Sequence, residues 1–187
     1  VTRELKDCFD RNVELIEVGA LDGITEEELS AIAPRKNETA LVSRLCDGRQ
    51  VIFAEERILP RLQKCIDQLQ AQGAEVVLFL CTGKFPPFIS KVPLLFPYEI
   101  LRTLLPVVGG KQALTVIVPD ELQIDESVND WSQFADHVQV IAASPYGCVD
   151  DLLQRVMQTP IEGEVIVLDC IGYTREAKQK IAAISGK

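Results

Sequence analysis

Short apolar runs alternate with longer amphipathic stretches along the chain, and this alternation predicts strands separated by helices. The runs typical of strands lie at 13–18, 74–80, 113–118, 138–142 and 164–168. Apolar residues recur at helical spacing in 26–33, 55–72, 98–107, 127–134, 150–157 and 175–184. This order is typical of βαβ units on a largely parallel sheet. The sequence therefore predicts an α/β fold.

Local signals refine the first half of the chain. Thr25 and Glu28 form a capping-box pattern, in which each side chain bonds the other residue's backbone amide at a helix start. An Asp-Gly pair separates the runs 41–45 and 50–54, which is the strongest short-range signal for a hairpin. Between 88 and 97 the chain is apolar but broken by prolines, which predicts an irregular crossover.

One construction occurs twice along the chain. In 74–83 and in 163–172, an acidic residue and an apolar strand lead to a cysteine, one further residue and a glycine. Cys81 and Cys170 therefore each follow a strand, one in each half of the chain. The repeat predicts two pseudo-symmetric α/β lobes, each of which presents a thiol at the carboxyl end of a strand.

The lobes are predicted to span residues 1–97 and 98–187. The chain opens at Val1 with a helix-like segment and closes at Lys187 after a helix stop. Such a stop normally leads into another strand. We therefore expect a further strand before the first residue and a further segment after the last.

Composition and charge narrow the function. The 187 residues include 19 Lys and Arg against 28 Asp and Glu, a net charge of −9. This surplus of carboxylates disfavours partners that are nucleic acids or membrane surfaces, because both need cations to meet phosphate. The apolar runs are too short to span a bilayer. Neither a nucleotide-binding loop nor a regularly spaced set of metal ligands is recognisable, so we expect no cofactor and no metal.

Six cysteines are the unusual feature of the composition. They are scattered, and no signal peptide is recognisable, so a secreted disulfide scaffold is disfavoured and a cytoplasmic, reduced protein is expected. Cys8 and Cys46 are interpreted as incidental and Cys65 as part of a helix core. Cys148 follows a strand end and is a candidate border of the site.

Cys81 and Cys170 lie where ligands are expected. Ligands of open α/β sheets bind outside the carboxyl ends of the strands. The turns that contain Gly83 and Gly172 offer backbone amides to a thiolate or to a carboxylate. A thiolate and a thiol on opposite faces of a bound carbon can remove and return a proton, which gives racemisation or epimerisation without a cofactor. A redox pair and two buried apolar cysteines are the alternatives.

Several short motifs occur in an order that resembles the AroM family. They are Ala-Leu-Asp-Gly at 20–23, Ala-Pro-Arg at 33–35, Cys-Thr-Gly at 81–83, Ile-Val-Pro at 117–119, Ser-Pro-Tyr-Gly at 144–147 and Leu-Asp-Cys-Ile-Gly-Tyr-Thr at 168–174. The resemblance covers essentially the whole chain. It implies a fold similar to the aspartate/glutamate/hydantoin racemase superfamily, with two pseudo-symmetric lobes, mainly parallel sheets and one cysteine from each lobe in the cleft between them.

The resemblance also implies roles for individual residues. Cys81 and Cys170 would form the acid/base pair, and Thr82 would bind a substrate carboxylate. The other residues expected to contact the substrate are Gly83, Gly172, Tyr173 and Thr174. Ile171 departs from the Thr or Asn that racemases usually place after each cysteine. Thr174 is equally a candidate cap for the helix that follows it.

The function predicted on this basis is a cofactor-independent racemase, isomerase or decarboxylase acting on a small carboxylate or hydantoin-like substrate. The alternative is a non-catalytic small-anion-binding or regulatory protein that keeps the racemase scaffold. In both cases the expected partner is a small anionic molecule, and a homodimer is left open. Asp169 is expected to point away from Cys170, because side chains alternate along a strand, and to cap a helix or form an ion pair.

Overall fold

The computed structural model describes residues 5–9, 12–108 and 113–187. The chain divides into two compact units, Val1–Phe96 (unit 1) and Pro97–Lys187 (unit 2). Within the described residues the fold is mixed α/β, with six α-helices and small, mainly parallel sheets that close into no barrel. No helix in the described part of the chain combines the length and the apolar character needed to cross a membrane.

One helix and one hairpin of unit 1 were predicted correctly from the sequence. Helix α1 (Glu26–Ala31) starts at a capping box, in which Thr25 and Glu28 bond each other's backbone amides. Strands β1 (Ala40–Arg44) and β2 (Gln50–Ala54) pair antiparallel. Their turn contains Gly48 at a φ of +92°, a backbone conformation that favours glycine. Helix α2 (Glu55–Ala71) follows directly.

The rest of unit 1 is less regular than predicted. The strand expected at 74–80 is shortened to β3 (Val77–Leu78), which pairs in parallel with β4 (Leu94–Leu95). The crossover expected at 88–97 therefore contains a strand. The strand expected at 13–18 is wrong, because those residues join no sheet in the described part of the chain. An apolar run is not sufficient for a strand where no neighbouring strand supplies hydrogen bonds.

Phenylalanine side chains form the centre of the second half of unit 1. The ring of Phe79, one residue beyond β3, has its centroid 4.5 Å from that of Phe96 and 5.4–5.5 Å from those of Phe85 and Phe88. Ile66 of α2 belongs to the same apolar cluster. The chain that leads into Cys81 is therefore held by apolar packing.

Unit 2 is a three-stranded parallel sheet with helices on both faces. Its elements are α3 (Pro97–Val108), β5 (Ala113–Val118), a 3-10 turn (Glu121–Gln123), α4 (Ile124–Trp131), β6 (His137–Ala142), α5 (Val149–Met157), β7 (Val165–Leu168) and α6 (Arg175–Ser185). The strand order is β6-β5-β7. All three strands agree with prediction. Gly109 and Gly110, which follow the helix predicted at 98–107, lie outside the described residues.

Helix α4 begins and ends three residues earlier than the predicted 127–134. The reason lies before the helix, where the Asp120 side chain accepts a hydrogen bond from the Leu122 amide and starts the 3-10 turn that leads into α4. The helix was predicted from the spacing of apolar residues alone, and that spacing carries no information on a hydrogen bond from a polar side chain to the backbone of a turn.

Strand β5 connects the two cores of unit 2. Ile117 packs with residues of α5 and α6 on one face, whereas Val116 and Val118 pack with residues of α3 and α4, including Trp131, on the other. All three β5 side chains are almost completely buried. A strand buried on both faces explains why its sequence is continuously apolar.

The carboxyl ends of the three strands meet at one edge of this sheet. Val118 lies opposite Ala142, and Ile117 lies opposite Leu168. The residues that follow β6 and β7 are tied to β5 as well, since the amides of Ala143 and Asp169 donate to carbonyls of β5. The loops after β6 and β7 are therefore neighbours at this edge.

Candidate functional site

Cys81 lies in a turn three residues beyond β3. The amide of Gly83 donates to its Sγ across 3.4 Å. The thiol is partly buried and packs against the apolar cluster that contains Leu41 and Ile58. The turn is tight at Gly83, where a Cβ would lie 3.0 Å from Leu41 and 3.1 Å from Phe85. A backbone amide aimed at sulfur stabilises the thiolate form.

Cys170 lies in a turn two residues beyond β7 and shows the same local contact. The amide of Gly172 donates to its Sγ across 3.3 Å. This thiol is also partly buried, and no disulfide includes it or any other cysteine of the chain. The construction that occurs twice in the sequence thus shows the same backbone contact in each unit, in which the cysteine sulfur accepts a hydrogen bond from the amide two residues later.

Tyr146 provides a second contact to the sulfur of Cys170. Its hydroxyl lies 3.5 Å from Sγ, and either atom can act as the donor. Tyr146 belongs to the loop after β6, which reaches the loop after β7 because both strands end at the same sheet edge. No function was predicted for this tyrosine from the sequence, although its motif, Ser-Pro-Tyr-Gly, follows a predicted strand.

Tyr173 and Thr174 have intramolecular partners. The Tyr173 hydroxyl donates to the Ala143 carbonyl across 2.7 Å, which ties the Cys170 turn to the loop after β6. Thr174 is the N-cap of α6, where its Oγ1 accepts from the Ala177 amide across 3.1 Å. Of the two roles that the sequence left open for Thr174, the structure shows the cap. Their contacts to a substrate stay predictions.

Asp169 precedes Cys170 and accepts a hydrogen bond that the sequence did not predict. Its Oδ2 lies 2.9 Å from Nε1 of Trp131, a side chain that is 1% exposed. The carboxylate therefore joins the end of β7 to the core beneath α4. A buried indole N–H needs such an acceptor.

Burial sets the protonation of Cys170. It raises the pKa of the thiol, and the nearby carboxylate of Asp169 adds to the effect, while the bonds from Tyr146 and Gly172 act in the opposite direction. Burial also raises the pKa of Tyr173. At neutral pH the Cys170 sulfur therefore carries its proton and can donate it to a base.

Two surface cavities of the described residues lie away from both cysteine turns. One, of about 400 Å³, lies in unit 1 beside α2 and is lined in part by Arg61 and Cys65. Cys65 is thus partly buried at a cavity wall, and burial raises its pKa. The other cavity, of about 430 Å³, lies beside α5. Neither cavity is lined by a residue that the sequence predicts to act on a substrate.

Comparison with known proteins identifies the family. The family model described as AroM protein matches residues 1–187, the whole chain. The chain belongs to the AroM family. No curated protein and no solved structure matches it. The resemblance predicted from the short motifs is therefore confirmed.

The repeated motif of this AroM-family chain supplies one thiol in each unit, and the local contacts of the two thiols are similar. Two sulfurs each accept a backbone amide, and the second also contacts a phenol. Among the described residues no three His, Cys, Asp or Glu side chains gather in a group that could hold a metal ion. The chemistry that the described residues themselves offer is that of thiol, thiolate and phenol.

Proposed function

We propose that this AroM-family chain catalyses cofactor-independent proton transfer at a carbon of a small carboxylate or hydantoin-like molecule, as a racemase, isomerase or decarboxylase. In this proposal the two units are lobes of a racemase-type fold, and Cys81 and Cys170 face one cleft. The observation that supports it is the shared turn, in which each cysteine follows a strand and accepts the amide of the second residue after it.

The proposed reaction balances without any other reactant. A thiolate removes a proton from the substrate carbon and becomes a thiol, which leaves the electron pair on the substrate as an enolate. The thiol on the opposite face then gives its proton to that carbon and becomes a thiolate. Burial raises the pKa of Cys170, so we assign it as the proton donor and Cys81 as the base of the resting enzyme. In a decarboxylation, loss of CO2 forms the carbanion and Cys170 alone protonates it.

The remaining predicted residues would bind the substrate carboxylate. Thr82 is the proposed contact beside Cys81. The amides of Gly83 and Gly172 would each donate a hydrogen bond both to the cysteine sulfur and to the substrate. Tyr173 would have to exchange its bond to the Ala143 carbonyl for one to the substrate.

The alternative proposal is a non-catalytic protein that binds a small anion. One observation favours it, since the burial that raises the pKa of Cys170 is also typical of structural, unreactive cysteines. In this case Cys170 supports the turn and carries out no chemistry.

Deuterium incorporation separates the two proposals. The intact chain would be incubated in D2O with amino acids, hydantoins and 2-substituted dicarboxylates, and exchange at the substrate carbon followed by NMR. The enzyme proposal expects deuterium incorporation with at least one compound. For a two-thiol racemase or isomerase it is lost in both Cys81→Ala and Cys170→Ala, and for a decarboxylase, which uses Cys170 alone, it is lost in Cys170→Ala. Cys46→Ala is the matched control, because Cys46 is exposed in the turn between β1 and β2 and should leave exchange unchanged. Exchange that survives either of the first two substitutions would overturn the two-thiol proposal.

Thiol reactivity provides a test that needs no substrate. Iodoacetamide reacts with the thiolate, so the labelling rate of each cysteine against pH, resolved by peptide mass spectrometry, gives its apparent pKa. We expect Cys170 to be labelled at higher pH than a cysteine of the unfolded chain, because burial raises its pKa, and Cys81 at lower pH, as its proposed role as the base requires. Ordinary, slow labelling of both Cys81 and Cys170 would favour the binding protein over the enzyme.

A further inference from the structure

The loop after β6 places one phenol against the sulfur of Cys170. This loop runs from Ser144 to Cys148, and the Ser144 hydroxyl accepts the amide of Tyr146 across 3.1 Å, which fixes the backbone beside the ring. The Tyr146 hydroxyl then lies 3.5 Å from the Cys170 sulfur. Tyr146 is partly buried, so its position is set by packing as well as by this contact.

The Tyr146 ring is also packed against the backbone of the cysteine turn. A Cβ at position 172 would lie 2.8 Å from one ring carbon and 2.9 Å from the hydroxyl oxygen. Real Cβ atoms essentially never approach other atoms so closely, so only glycine fits beneath this ring. The same residue that donates its amide to Cys170, Gly172, therefore also leaves the space that allows the phenol to reach the sulfur.

We propose that Tyr146 is a positioning residue for Cys170: its hydroxyl orients the sulfur and donates a hydrogen bond to the thiolate that remains when Cys170 gives up its proton. The catalytic part of this assignment rests on the proposed function. The contact between Tyr146 and Cys170 is independent of the proposed function, because it affects the ionisation of the thiol whether or not a substrate is bound.

The groups that face Cys170 define what Tyr146 contributes. From its own turn come the Gly172 amide, which stabilises the thiolate, and the Asp169 carboxylate, which disfavours it. Tyr173 also faces Cys170, but its hydroxyl donates to Ala143. The loop after β6 contributes Tyr146, whose bond favours the thiolate. With phenylalanine at 146, the bond from the Gly172 amide still favours the thiolate, whereas burial and the Asp169 carboxylate still disfavour it.

The first test is Tyr146→Phe in the intact chain, read by iodoacetamide labelling of each cysteine against pH. We expect the labelling profile of Cys170 to move to higher pH, with labelling at a fixed pH below the pKa slower by about tenfold for each unit of displacement. The profile of Cys81 should not move. Tyr98→Phe is the control, since it removes a phenol hydroxyl of unit 2 that lies 3.5 Å from Asp130. An unchanged Cys170 profile in Tyr146→Phe would overturn the assignment.

A second pair of variants disturbs the same contact from the other side. Gly172→Ala keeps the amide but forces the Tyr146 ring away from its place, so it should displace the Cys170 profile in the same direction. Gly147→Ala is the matched control, because a Cβ there meets nothing within 4 Å. A displaced profile in Gly147→Ala as well as in Gly172→Ala would contradict the contact and indicate general loosening of the loop.

These outcomes are distinguishable from failure of the proposed function. Labelling needs no substrate, so a displaced Cys170 profile without deuterium exchange in any compound would retain the role of Tyr146 and reject the enzyme. The opposite result is also possible. If exchange is lost in Cys170→Ala, while Tyr146→Phe changes neither exchange nor the Cys170 labelling profile, the enzyme proposal is retained and the role of Tyr146 is rejected.

Discussion

Each of the two cysteine turns contains a hydrogen bond from a backbone amide to the cysteine sulfur, but the surroundings of this bond differ between the turns. The Cys81 turn follows a strand of two residues and is held by apolar side chains, among them Leu41 and Phe85. The Cys170 turn follows a strand of four residues in a three-stranded sheet. Hydrogen bonds from neighbouring elements hold it, through Trp131, Tyr146 and the carbonyl of Ala143.

The difference shows that a local motif does not determine the chemistry of its thiol. A backbone amide favours the thiolate in both turns, yet burial and a neighbouring carboxylate raise the pKa of Cys170. What a cysteine of this kind does with its proton therefore depends on side chains that lie far away in sequence.

Trp131→Ala should have the largest effect and should be confined to unit 2. It removes an almost fully buried indole and leaves the Asp169 carboxylate without that donor, and truncations of buried aromatic residues cost about 3–5 kcal/mol. Labelling of Cys170 through transient unfolding should be faster by about 100-fold or more, since each 1.4 kcal/mol is a factor of ten. Labelling of Cys81 should change little.

Trp131→Phe serves as the control for the first prediction. It retains an aromatic ring and removes the indole N–H, so its cost should be nearer the roughly 1–3 kcal/mol of one unsatisfied buried group. Equal acceleration of Cys81 and Cys170 labelling in Trp131→Ala would show that the two units unfold together. The different contacts of the two turns would then give them no difference in local stability.

Thr174→Ala should have an intermediate effect, a loss of about 1 kcal/mol from removal of the α6 cap. Thr25→Ala removes the equivalent cap of α1 in unit 1 and should cost a similar amount there. Urea unfolding, with the labelling of a cysteine in each unit as the local probe, measures both. Thr174→Ser should restore stability, because serine is an equally good cap.

The cap variant also tests the remaining prediction for Thr174. If deuterium exchange is found, Thr174→Ala at a temperature where the protein stays folded should reduce it only if the hydroxyl also binds the substrate. Exchange equal to that of the unaltered protein would limit Thr174 to its role as a cap.

The sequence predicted unit 2 better than unit 1 for a physical reason. Residues 113–118 and 165–168 are mostly apolar because they are buried or half-buried in a parallel sheet, so the sequence pattern and the strand have the same cause. Residues 13–18 have a similar pattern but no strand beside them among the described residues. In 74–80 the strand is cut to two residues, and Val76 on its flank is 51% exposed.

Only the local part of the candidate site, the two Cys-X-Gly turns, could be predicted from the sequence. The two Cys-X-Gly turns are visible in the sequence because they depend on three consecutive residues. Tyr146 and Trp131 were not predicted, because each meets its partner through the strand order β6-β5-β7, which brings distant loops to one edge. Tyr173 was predicted as a substrate contact, and its bond to Ala143 comes from the same long-range pairing.

The smallest effect concerns pH and follows from the raised pKa of Cys170. The folded state holds this proton more tightly than the unfolded chain, whose thiol has a pKa of about 8.5. The stabilisation is complete below that pH and is lost as the pH rises from there through the folded pKa. At pH 8.5 the loss is at most about 0.4 kcal/mol, because half of the unfolded thiols have then ionised.

Urea midpoints between pH 7 and pH 9 measure this loss, and Cys170→Ala should make the decline of unit 2 stability with pH less steep. Cys65 in unit 1 contributes a decline of the same sign there, because burial raises its pKa too, so the readout must be local to unit 2. An identical slope in Cys170→Ala and the unaltered protein would mean that the Cys170 sulfur ionises as readily in the fold as in water. Cys170 would then be as available a base as Cys81, and the assignment of one turn to donate the proton and the other to accept it would have no basis.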